Sequence, residues 1–151
     1  MADIRKDGAA GARSCVCLAM VVADGVVREE ETHKCYILGT FSSIIASQYP
    51  SFHDRLHLYV AVTDMRPGEH VGQIRMNYLD DEATPLLETH GPILSRTPIE
   101  VIELNFCFRG IVFPKPGALE IAFHVDDEVI QSRKLQLSLV CGKEGHDARA
   151  S

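Results

Sequence analysis

The sequence predicts an all-β fold, an antiparallel two-sheet sandwich of seven to eight strands with at most one short helix. Three observations carry that expectation. Short segments rich in Val, Ile, Leu and Phe recur along the chain, divided by turn residues every ten or so positions, the spacing typical of sandwiches and barrels. Several of these segments alternate apolar and polar residues, so that one face of a strand can be buried and the other solvated. A helical period is missing from most of the chain, and proline is frequent.

The elements follow in order. Residues 15–23 form a first strand. Their apolar run behind Arg5, Lys6 and Arg13 loosely imitates a signal peptide, but Asp3 and Asp7 precede it and the run is short, so the strand reading is preferred. The short helix, if present, falls in 25–34, and over 29–46 a helix opened by Glu29, Glu30 and Glu31 is the alternative to a strand. Residues 35–46 read as a strand because Gly39, Thr40 and the β-branched Ile37, Ile44 and Ile45 disfavour helix. Further strands are predicted at 55–64, 70–79, 85–90, 99–108, 117–125 and 128–139.

The segments 55–64 and 70–79 give the clearest parity. Leu56, Leu58, Val60 and Val62 alternate with Arg55, His57, Tyr59 and Thr63, while Ile74, Met76 and Tyr78 alternate with Gln73, Arg75 and Asn77. Joined as an antiparallel hairpin, they would place both apolar sets on one face. The outer face of that hairpin would then carry His57, Tyr59, Gln73, Arg75 and Asn77, a polar and partly aromatic patch. Tyr and Arg are enriched at binding hot spots, which makes this patch the candidate binding surface.

Near the C-terminal end, Leu119, Ile121, Phe123 and Val125 make one face, and Asp126-Asp127 a tight turn. Beyond the turn the parity breaks, because Ile130 is even while Leu135, Leu137 and Leu139 are odd. A bulge around Ser132–Lys134 would restore the face. In 99–108 the same logic buries Ile102, Leu104, Phe106 and Phe108.

The segments K-C-Y-I-L-G-T-F (34–41), the F-P-K-P-G turn (113–117) and the closing hairpin L-E-I-A-F-H-V-D-D-E-V-I (119–130) resemble a family of small uncharacterised bacterial proteins. The resemblance spans about 15–140. It implies an immunoglobulin-like or C2-like sandwich in a bacterial protein and implies no catalytic residues.

Composition bounds the function. With 151 residues the chain holds one ordinary domain, assigned to 15–140, with polar, glycine-containing tails at 1–14 and 141–151. The formal charge of −6 argues against a grip on nucleic acid, which needs clustered Lys and Arg. No apolar run approaches the length of a membrane-spanning helix. The five cysteines, Cys15, Cys17, Cys35, Cys107 and Cys141, include no C-x-x-C pair, and are expected to be free thiols in a reducing cytoplasm.

Enzyme signatures such as G-x-S-x-G, a P-loop or H-E-x-x-H are missing from the sequence, so no catalytic residue and no cofactor are assigned. The expected function is a non-enzymatic binding module that meets a protein partner or a second copy of itself. The alternative is a calcium- or ligand-binding C2-like domain. If successive connections alternate between the two ends of the sandwich, Asp24, Asp64, Asp126 and Asp127 gather at one end as candidate oxygen ligands.

Overall fold

Parity decides which side chains of each strand face inward, and burial follows it closely. The computed structural model describes residues 14–140, which form nine strands and no helix. These are β1 (Val16–Arg28), β2 (Cys35–Thr40), β3 (Ser43–Ala46), β4 (Ser51–Thr63), β5 (Gly68–Tyr78), β6 (Leu87–Ser95), β7 (Ile102–Phe113), β8 (Gly117–Val125) and β9 (Glu128–Leu139). Apart from Ser14, the predicted tails 1–14 and 141–151 lie outside the described residues.

Two sheets share one core. The first has the order β2-β1-β4-β7, the second β3-β9-β8-β5-β6. Leu56, Leu58, Val60 and Val62 from β4 meet Ile74 and Met76 from β5 and Leu119, Ile121, Phe123 and Val125 from β8 in a single buried cluster. All ten are essentially inaccessible to solvent. At about 25 cal/mol per Å² of apolar surface removed from water, this shared interior is what holds the sheets together.

Four expectations need correction. First, β4 and β5 are not a hairpin: β4 pairs with β1 and β7, and β5 with β6 and β8. Their inward parity was right, because strands that face each other across a core need the same parity as strands that neighbour each other in a sheet. The link 64–67 crosses between layers about 10 Å apart, a span four residues can cover. Asp64 at φ 63° and Gly68 at φ 124° make the corners.

Second, 35–46 is two strands. β2 pairs antiparallel with β1, the chain then changes sheets at Phe41-Ser42, and β3 runs parallel to β9. The second sheet is therefore mixed, and the all-antiparallel arrangement does not hold. Third, the span 25–34 holds the end of β1 and a turn, and no helix. Fourth, the bulge in β9 lies earlier than expected. Phe123 pairs with Gln131 but His124 with Val129, leaving Ile130 as the extra residue.

Other local readings hold in the structure. Val125 pairs with Glu128, and Asp126 and Asp127 both have positive φ, 50° and 69°. That is the two-residue turn whose twist suits a hairpin, and Asp tolerates it better than most residues. The F-P-K-P-G turn buries Phe113 and lets the Tyr78 hydroxyl donate to the Lys115 carbonyl at 2.7 Å.

Candidate functional site

Because β4 and β5 belong to different sheets, the five residues of the predicted binding surface lie on two faces of the molecule. His57 and Tyr59 are on the outer face of the first sheet, and Gln73, Arg75 and Asn77 on the outer face of the second.

On the first sheet, β1 leaves β4 after the pair Ala23–His57, and its remainder pairs with β2 alone. The distal ribbon reaches over the face. Arg28 lies 3.4 Å from the Glu103 carboxylate, and Glu103 also accepts from the Tyr59 hydroxyl. His57 Nδ1 contacts Asn105 Oδ1 at 3.2 Å. Ala23, His57 and Ala61 are buried although they lie outside the core cluster between the sheets. Burial and the Glu103 carboxylate push the Tyr59 hydroxyl well above the ordinary tyrosine value. His57 and Tyr59 are thus used internally, with little surface left for a partner.

The outer face of the second sheet is more open. There Gln73 pairs across strands with His90 and His124, Arg75 with Glu88 and Ala122, and Asn77 with Glu120. Arg75, Asn77, Glu82, Glu120, Ala122, His124 and Val129 line a shallow depression of about 360 Å³. The β5–β6 connection forms its rim: the Arg75 guanidinium donates to the Glu82 carbonyl at 2.9 Å. Asn77 is buried, and its amide donates to the Tyr78 carbonyl at 3.0 Å. Gln73 donates to Glu88 at 2.6 Å beside the depression. His124 Nδ1 is buried with no hydrogen-bond partner among the described residues. A buried polar atom left unpaired costs roughly 1–3 kcal/mol, which a ligand supplying the missing bond would recover. The sequence reading missed His124, Glu120 and Glu82. Their even parity on β8 marks the first two as outward-facing, but nothing in the sequence set β8 beside β5.

The four predicted calcium ligands do not converge. Asp64, Asp126 and Glu128 all lie near Cys15, where β1 begins and β4 ends. Burial, assisted by Cys17 and these carboxylates, pushes the Cys15 thiol up to about 11. Asp24 sits eight residues along β1, about 26 Å away at the rise of an extended strand. Its neighbours there are Gly39 and His53. The cause is the added reversal at Phe41-Ser42, which shifts every later connection to the opposite end. Asp126 is also already engaged. It accepts from the Val71 amide at 2.9 Å and from His70 Nδ1 at 2.6 Å. Among the described residues no three His, Cys, Asp or Glu side chains gather as a metal site would need.

The fold defines a two-sheet, all-β domain with a shallow, polar-lined depression on the outer face of its second sheet. The chain belongs to a family of unknown function (DUF6941), whose pattern matches residues 18–138. No curated protein matches the sequence. Among solved structures the chain resembles the Pseudomonas fluorescens alkylpurine DNA glycosylase AlkC bound to DNA containing an abasic site analog. That likeness has 12% identity and a TM-score of 0.49, covering 89% of this chain and 33% of the glycosylase. The chain therefore spans about a third of that protein. No helix among the described residues is long and apolar enough to cross a membrane.

Proposed function

We propose that the chain is a non-enzymatic interaction module that holds a polar segment of a protein partner in the depression on the second sheet. One observation carries the reading: His124 Nδ1, buried and unpartnered, lines a depression that also presents Arg75, Glu82 and Glu120. A partner side chain or backbone group bonded to that nitrogen would remove the desolvation penalty, while the flanking charges set orientation. The frame is taken as that of an immunoglobulin-like or C2-like module in a bacterial cytoplasmic protein. The free thiols Cys15, Cys17, Cys35 and Cys107 accord with a reducing compartment. The net charge of −6 supports a protein partner over nucleic acid.

Ala122→Arg tests the proposal by filling the depression from its floor. Partners retained by the wild-type chain should be lost by this variant and reduced by His124→Ala, with Ala122→Arg still folded and His124→Ala melting no lower than wild type, since it removes the unpaired nitrogen. Equal recovery by all three proteins would refute the assignment of the depression.

A further inference from the structure

The free edge of β7 carries a charge pattern complementary to itself. β7 is the outermost strand of its sheet, with β4 as its one neighbour. Between Glu103 and Arg109 it is regular and free of proline, and Gly110, at φ 64°, ends the regular stretch. The other edges are weaker templates. β2 is short and contains Gly39 at φ 67°, β3 has four residues, and β6 carries Gly91-Pro92 at its middle, where proline offers no amide donor. An unprotected edge of this length presents unpaired backbone groups to another strand.

Two further features of β7 are incomplete in the single chain. Arg109 stands directly opposite Arg55 on β4, and neither has a carboxylate ion-pair partner among the described residues. Like charges placed so destabilise a strand pair. On the inward face, Leu104 and Phe106 pack against the core but stay only partly buried.

We propose that two copies of the chain join edge to edge through antiparallel pairing of β7 about a two-fold axis at Phe106. A two-fold axis perpendicular to the sheet keeps each face on its own side, so the register is fixed by the residue on the axis. Centred on Phe106, Glu103 of each copy faces the partner's Arg109. Leu104 then faces the partner's Phe108, and Phe106 faces its own counterpart, extending both cores. Centring on Asn105 sets Arg109 opposite Val101, and centring on Cys107 sets it opposite Asn105. Only the Phe106 register pairs the charges. Glu103 already binds Arg28 and Tyr59, yet a carboxylate has about four acceptor positions and can take a second guanidinium. The two four-stranded sheets become one sheet continuous across the axis.

The test is the solution mass of the full chain, read by sedimentation or light scattering at high micromolar concentration. Wild type should run at twice the 16.7 kDa chain mass. Arg109→Glu sets carboxylates face to face across the axis and should be monomeric. It should also melt no lower than wild type does in monomer, because Arg55 gains an opposite charge. Glu103→Arg should likewise be monomeric, and mixing the two variants should restore the dimer mass. Ala122→Arg, in the depression on the other sheet, should leave dimerisation intact, which separates this inference from the proposed function. A monomeric wild type, a dimer that survives Arg109→Glu, or variants that stay monomeric when mixed would overturn it.

Discussion

The sharpest quantitative expectation concerns His70, a buried imidazole held at both nitrogens. Nδ1 lies 2.6 Å from an Asp126 oxygen and Nε2 lies 2.7 Å from the Arg66 carbonyl. With Asp126 ionised both partners are acceptors, an arrangement that favours a proton on each nitrogen and so the imidazolium form. The Asp126 hydrogen bond and the Arg66 carbonyl raise the His70 pKa above its ordinary 6.5, with burial opposing. The same bond, with the Val71 amide, lowers Asp126 below its ordinary 3.8. The raised histidine contributes stability that is complete below pH 6.5 and is lost as pH rises through its folded value. The lowered carboxylate contributes stability that is present above pH 3.8 and is lost as pH falls through its own. The pair therefore stabilises most between those limits. Asp126→Asn tests this with minimal disturbance, since Asn accepts the positive φ of the turn. Its single oxygen must serve two donors, the Val71 amide and His70. A hydrogen bond to a charged group contributes about 1.5–3 kcal/mol, and a domain of this size loses roughly 2–4 °C of Tm per kcal/mol. Thermal melts of both proteins from pH 4.5 to 9 should show a gap of several degrees near pH 5–6 that narrows at alkaline pH. A gap that stays constant or widens toward pH 9 would refute the doubly protonated ring.

Other outcomes follow from burial and backbone geometry. Phe123→Ala, at a fully buried site of β8, should cost on the order of 3–5 kcal/mol in urea unfolding, whereas Leu104→Ala, half-buried at the sheet edge, should cost clearly less. Gly39→Ala should destabilise by more than about 1 kcal/mol, because φ is 67° and the new carbon would lie 2.7 Å from the Asp24 carboxylate. Gly91→Ala meets no atom within 4 Å and is the matched control, expected to be near neutral. Tyr59→Phe should remove the tyrosine that ionises above the ordinary range in an alkaline absorbance titration, while leaving the Arg28–Glu103 pair in place.

Parity was the part of the fold most readable from residues alone. Leu56 to Val62, Ile74 to Tyr78 and Leu119 to Val125 all bury the side their alternation marks. The turn at Asp126-Asp127 was equally local, because two successive positive φ values suit few residue types. Neighbour choice was not readable. Whether Leu58 sits beside Ile74 in one sheet or across the core from it leaves the same alternating pattern. The break inside 35–46 was hidden for a related reason. Ile37 and Ile44 suit strands in either sheet, and the chain marks its crossing only with Phe41-Ser42.

That one hidden reversal decided how much of the candidate site survived. Reading 35–46 as a single strand brought Asp24 to the end that holds Asp64 and Asp126, which suggested a cation. Reading β4 and β5 as a hairpin merged His57 and Tyr59 with Gln73, Arg75 and Asn77. Once the reversal is counted, Asp24 moves to the far end and the polar patch splits. Tyr59 turns to an internal bond with Glu103, while Arg75 and Asn77 remain on the face where His124 lacks a partner. Residue types thus identified plausible contacts, but topology determined which could act together. The edge of β7 is the converse case. Its alternation of Glu103 and Arg109 about Phe106 is visible in the sequence, yet it acquires meaning only when the sheet order leaves that strand without a second neighbour.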